Sequence, residues 1–157
     1  MVLKIPDGSL WSNVALWASE LGWTLAQAIK FVRHYIRTRE RDFRFFVSTG
    51  GMPSAHSALV SALATSVGID HGVGSPLFAV TTVFALIVMF DAQGVRHAAG
   101  QQARLINEMV DELMQRHHWP RRQKLAELLG HSRHEVFVGL VLGVACAFLM
   151  HWLWGRL

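Results

Sequence analysis

Hydrophobic positions in this chain come in long blocks, and the polar positions collect between them. Residues 10–29 are apolar and rich in Trp and Ala, interrupted by Glu20. A membrane-crossing helix needs about 17–25 residues, so this block is long enough. Glu20 then either faces the bundle or lies in a segment tilted near the surface. Residues 30–44 form a charged connector. Residues 53–69 form a second block, in which Ala55, Ser57, Ala58, Ser61, Ala62, Ala64 and Ser66 offer a small surface that lets helices approach closely in lipid. A polar turn from Asp70 to Gly74 leads to a third block, 75–90, uncharged until Asp91 ends it. In 98–114, Leu105, Ile106, Met109, Val110, Leu113 and Met114 recur with helical spacing and polar residues between them, which predicts an amphipathic helix on the interface or the bundle. Trp119-Pro120 breaks it, and a short basic helix over 121–129 stops at Gly130. The last block, 136–154, is the clearest span, with Gly139 and Gly143 in a small-xxx-small pattern.

Composition sharpens the class. The chain is 52% hydrophobic and 17% charged, with mean hydropathy +0.28, more apolar than a typical soluble domain. Its 157 residues leave no room for a second core. The pattern predicts an all-α fold: a small integral membrane helical bundle, one domain over 1–157. It would have three to four membrane-spanning helices plus an interfacial amphipathic helix, with 97–130 as an interfacial helical insertion. Cys146 is the sole cysteine and lies in an apolar run, which excludes a disulfide and a thiolate metal site. Lys4 is followed by Pro6, Asp7 and Gly8 rather than by the apolar run of a secretory signal, so targeting rests on the spans. Trp11, Trp152 and Trp154 fit one interfacial belt.

Charge then orients the bundle. Of 15 Lys and Arg, all but Lys4 and Arg156 fall within 30–44 or 96–133. These two stretches share a membrane face if the second and third blocks span, and the positive-inside rule makes that face cytoplasmic. The expected location is the inner (plasma) membrane, multi-pass, with the site facing the cytoplasm.

Candidate chemistry collects on the same face. In Ser48-Thr49-Gly50-Gly51-Met52-Pro53-Ser54-Ala55-His56, two glycines allow a tight turn and close backbone approach to a ligand. Pro53 suits the first position of a helix, and a helix start aims N–H groups at an anion. Ser54 adds a hydroxyl, as phosphate donor or plain cap, and His56 a group that moves protons near neutral pH. Lys30, Arg37, Asp91, Arg96, His131 and Glu135 complete the constellation. Phosphoryl transfer needs cations and N–H donors around the oxygens, an in-line nucleophile and an acid for the leaving oxygen. Two histidines can supply the last two roles, and Glu135, four residues after His131, can hold its second ring nitrogen. Blander readings compete. Ser132-Arg133-His134-Glu135 is also a capping box. The cations serve equally as topology signals or contacts with anionic head groups. Asp91 and Arg96 also read as a structural pair at a helix end. His34, His71, His97, His117, His118, His134 and His151 read as surface or interface residues. Acidic residues do not cluster with histidines, so no metal site is expected.

The stretches STGGMPSAHSA, DAQGVRHAAGQQA and KLAELLGHSRHEVFVG together resemble the divergent branch of the type 2 phosphatidic acid phosphatase superfamily. That superfamily also holds bacterial acid phosphatases and vanadium haloperoxidases. Lys30 and Arg37 keep the spacing of its first motif, with Thr38 in place of a proline. Pro53, Ser54 and His56 match the second, with Ala55 for glycine. His131 and Glu135 keep the end of the third, with Glu for Asp, and its arginine looks displaced to Arg96. Arg133 follows the histidine and takes no role.

The resemblance implies a two-step hydrolysis. His131 attacks phosphorus while Lys30, Arg37, Arg96, Ser54 and the Gly50–Gly51 backbone hold the oxygens, and His56 protonates the leaving group. The implied substrate is a lipid phosphate or prenyl diphosphate, with no cofactor and no nucleic-acid partner. The chain is shorter than the superfamily's six-helix membrane members, and a homodimer is one way to complete it. The alternative is a non-catalytic membrane protein that binds anionic lipid or a partner through the retained cradle. Vanadate-dependent peroxidase chemistry ranks third.

Overall fold

A computed structural model describes residues 10–39, 51–117, 125 and 130–155, with the backbone alone at 95–97 and 115–117. After a short 3-10 turn, Leu10–Ser12, come five α-helices: α1 (Val14–Thr38), α2 (Ala55–His71), α3 (Pro76–Gln93), α4 (Val95–His117) and α5 (Arg133–Trp154). Local chemistry sets their starts. The side chains of Asn13, Ser54, Ser75 and Ser132 each accept a backbone N–H from the first turn of the helix they cap, and Pro76 takes the first position of α3.

The helix with the smallest side chains lies at the centre. α1, α3 and α5 all pack on α2, and α1 also packs on α5. Ala58, in the first turn of α2, is fully buried. Its carbonyl lies against Gly22 of α1 on one side and Gly143 of α5 on the other, while Gly139 rests on the Ser54 carbonyl. Two alanine layers stack there: Ala18, Ala62 and Ala147, then Ala26, Ala55 and Ala58. Backbones this close leave little apolar side chain to bury, so contact rests on van der Waals packing and inter-helix hydrogen bonds. One such bond runs from Ser61 Oγ to the Leu140 carbonyl at 3.1 Å.

α1 and α3 run toward one end of the bundle, α2 and α5 away from it. At that end Ser54 N–H donates to the Glu135 carbonyl at 3.0 Å, and His131 N–H donates to the Ala92 carbonyl at 2.9 Å. At the opposite end His151 Nε2 meets Asp70 Oδ1 at 3.0 Å, tying the ends of α2 and α5. α5 and the run Pro76–Met114 are long and apolar enough to cross a membrane. Their outer faces carry Val80, Val83, Ile87, Phe90, Phe137 and Phe148, all exposed. A patch of this extent fits a bilayer and not water.

Several expectations are corrected. The connector from Lys30 is helical as far as Thr38, because its Lys, Arg and aromatic residues continue the α1 pattern without a breaker. Pro53 precedes the cap and is not the first helical residue, since Ser54 takes the capping role. Glu20 is exposed on α1 and does not face the bundle. α3 continues past Asp91 to Gln93, and α4 begins at Val95, three residues earlier than its apolar period. The basic helix over 121–129 falls outside the described residues except for Leu125, whose backbone N–H and carbonyl pair with the Asn107 side chain of α4.

Candidate active site

The two backbone joints at the upper end of the bundle set the site. Ser54 N–H on the Glu135 carbonyl fixes the start of α2 against the first turn of α5. His131 N–H on the Ala92 carbonyl fixes the residue before the α5 cap against the end of α3. His131 is thereby buried, at 2% exposure. The His56 and His131 rings, from different helices, face each other with centroids 6.5 Å apart and planes tilted by 58°. Both rings can reach one phosphate at that separation.

Glu135 does two jobs with one oxygen. Its Oε2 accepts the Ser132 backbone N–H at 3.0 Å, closing the capping box. The same Oε2 lies 3.2 Å from His131 Nδ1. A carboxylate there accepts a hydrogen bond from Nδ1–H, which puts the lone pair of the neutral ring on Nε2. The capping box and the contact with His131 coexist on this one oxygen, as the sequence allowed.

Lys30 is buried on the inner face of α1, just past the apolar stretch. Burial pushes its ammonium pKa down, and the Glu135 carboxylate opposes that shift. Ser54 is fully buried, and its Oγ accepts both the backbone N–H of Ser57, at 3.3 Å, and the Ser57 hydroxyl, at 3.0 Å. Among the described residues its own hydroxyl proton meets no acceptor. Gly51 has φ +89°, a backbone that glycine takes without strain. Asp91 is half-buried beside Ala92, the residue whose carbonyl holds His131.

The structure does not bring every expected residue together. Arg37 is exposed on the last turn of α1 and makes no hydrogen bond or ion pair with the cluster among the described residues. Gly50 and the Arg96 side chain lie outside the described residues. Two residues were missed. Arg33 Nη1 donates to the Met52 carbonyl at 3.5 Å, a long bond that steadies the glycine turn. Gln27, one turn from Lys30, is buried, and its Oε1 has no hydrogen-bond partner among the described residues. Arg33 was hidden by the arginines around it, whereas an amide inside an apolar block was a usable signal.

A family model described as "Divergent PAP2 family" matches residues 11–146. This chain belongs to that family. A Bacillus subtilis (strain 168) protein, "Uncharacterized membrane protein YuiD", is 42% identical to this divergent PAP2 protein over 151 residues. The match covers 90% of this chain and 96% of that relative. No solved structure matches it. The family, the membrane relative and the two apolar helices make the chain a PAP2-related membrane protein.

The departures from the superfamily motifs each have a local setting in this PAP2 protein. Thr38 continues the helix, its Oγ1 donating to the His34 carbonyl at 3.0 Å, and Arg39 then caps α1 in a left-handed conformation, φ 58°. Ala55 fills the layer with Ala26 and Ala58. Glu135 combines the cap with the histidine contact, and glutamate is a preferred residue at that capping-box position.

Proposed function

We propose that this protein is a membrane phosphatase acting on a lipid phosphate or prenyl diphosphate. The observation that carries the reading is the histidine pair, with Glu135 on the Nδ1 side of His131. In the first step His131 Nε2 attacks phosphorus. An N–P bond forms, the P–O bond to the leaving group breaks, and His56 gives that oxygen its proton. In the second step His56 takes a proton from water, the oxygen attacks phosphorus, and the N–P bond breaks to release phosphate. Lys30, Arg37, Arg96, Ser54 and the Gly50–Gly51 backbone take the oxygens, and the start of α2 adds its dipole.

α1, α2, α3 and α5 would cross the membrane, with the site at the cytoplasmic face. Cysteine labelling tests this, because the native Cys146 is buried. Gly74→Cys is expected to react from outside intact cells and Gln102→Cys only after permeabilisation. The reverse pattern would invert the topology.

The chemistry is tested by phosphate release in detergent without added metal. The substrates are phosphatidate, phosphatidylglycerophosphate, and farnesyl and geranylgeranyl diphosphates. Release that disappears in His131→Ala supports the enzyme. No release from any of them favours the second reading, a protein that binds anionic lipid through the same cradle.

A further inference from the structure

α3 and α5 both pack on α2 but touch each other lightly, which leaves a groove between them of about 420 Å³. Its floor is Met89 and Val136, both buried, and its walls are the exposed rings of Phe90 and Phe137. Arg133 and His134, both exposed, stand at one end beside Gln93. That end lies next in sequence to the joint where His131 N–H meets the Ala92 carbonyl, Gln93 following Ala92 and Arg133 following the Ser132 cap.

We propose that this groove seats the first part of one hydrocarbon chain of a phosphate-headed lipid, with Arg133 and His134 guiding the phosphate toward the histidines. The proposal rests on the phosphate-site reading above and adds to it the path of the tail and two residues given no role so far. Charge complementarity selects the occupant. A cationic end on an apolar trough suits a lipid with an anionic head and a hydrocarbon tail. A second copy that met this groove with its own α3 and α5 would bring no carboxylate but Asp91 and Glu135, and both belong to the site. From Arg133 to Leu140 the groove follows about 10 Å of helix, against a hydrocarbon core of about 30 Å. It therefore holds only the part of the tail nearest the head group, and the remainder lies in the bilayer. The presence of a chain is read, and its full length is not.

The test uses phosphatidate carrying a diazirine near the carbonyl of one acyl chain, in phosphatidylcholine vesicles with the full-length protein. Photolysis is expected to place most adducts on Phe90, Phe137 and Leu140. Adducts should fall at least about fivefold in Leu140→Trp, which fills the trough, and about threefold in Arg133→Gln, a surface change that leaves the core intact. His131→Ala should leave them unchanged. In competition, eight-carbon and sixteen-carbon phosphatidates should displace the probe within twofold of each other, with glycerol 3-phosphate more than tenfold weaker. Adducts spread evenly over Val80, Phe84 and the outer face of α3, or crosslinks between copies, would overturn the groove. Adducts in the groove without any phosphate release would instead overturn catalysis and leave the groove standing. Turnover with adducts elsewhere would do the reverse.

Discussion

Gly143 and Ala58 approach so closely that no side chain fits between them: a Cβ on Gly143 would overlap both the Ala58 carbonyl and Ser61 Oγ. The obstacle is backbone, which cannot rotate aside. Gly143→Ala should therefore cost more than the usual 1–3 kcal/mol of core overpacking, and Gly143→Val should prevent accumulation of folded protein. Gly74, with open space around it, is the control. Gly74→Ala should stay within about 0.5 kcal/mol of wild type. Thermal unfolding in detergent checks the pair.

Glu135→Gln separates capping from chemistry. Glutamine serves the capping box as well as glutamate does, so stability should hold. Losing the carboxylate on His131 Nδ1 should lower turnover by about 10²–10⁴-fold. Glu135→Ala should lose both, with an added stability cost of about 1 kcal/mol. Phosphate release and melting temperature on the same preparations distinguish the two effects. Equal turnover in Glu135→Gln and wild type would remove Glu135 from the mechanism.

Lys30 predicts a pH signature. Its folded-state pKa lies below the free-lysine value of 10.5. Below the lowered pKa both states are charged, and the folded chain bears the whole burial cost. Between that pKa and 10.5 the unfolded chain binds more protons, so stability rises with pH. Lys30→Met has no such slope. From pH 7 to pH 10 the melting temperature of wild type relative to Lys30→Met should move in favour of wild type. A flat or opposite trend would contradict the buried position of Lys30.

The His151–Asp70 contact lies at the far end of the bundle from the histidine pair. It is partly exposed, and its loss in Asp70→Asn or His151→Gln should cost about 1 kcal/mol. The two changes together should cost less than their sum. Turnover should be unaffected, because nothing in this clamp reaches the site. A loss of activity at unchanged stability would show coupling between the two ends.

The small-residue run 55–66 and the Gly139–Gly143 pair were readable in the sequence because close helix contact in lipid demands small residues, and the structure packs them together. The His131–Glu135 link was readable because four residues are within side-chain reach, although His131 lies just before the Ser132 cap and not on the helix itself. The site's main-chain joints were not readable. That His131 N–H meets the Ala92 carbonyl depends on three-dimensional placement, and neither backbone group has a side-chain signature. The helical stretch from Lys30 to Thr38 was hidden for a different reason. Charge density suggested a connector, although Lys and Arg are good helix formers. Glu20 shows the limit of hydropathy: the sequence gives its depth along the helix and not the side to which it points.

His131 is held through its main chain by the Ala92 carbonyl, and its imidazole separately meets Glu135. Placement therefore rests on main-chain atoms that any residue carries. A descendant of this protein could replace the imidazole, lose turnover and keep the same three-helix junction. If the protein is the phosphatase proposed above, loss of its catalysis would leave a binding site for the same lipid, with no refolding needed to get there.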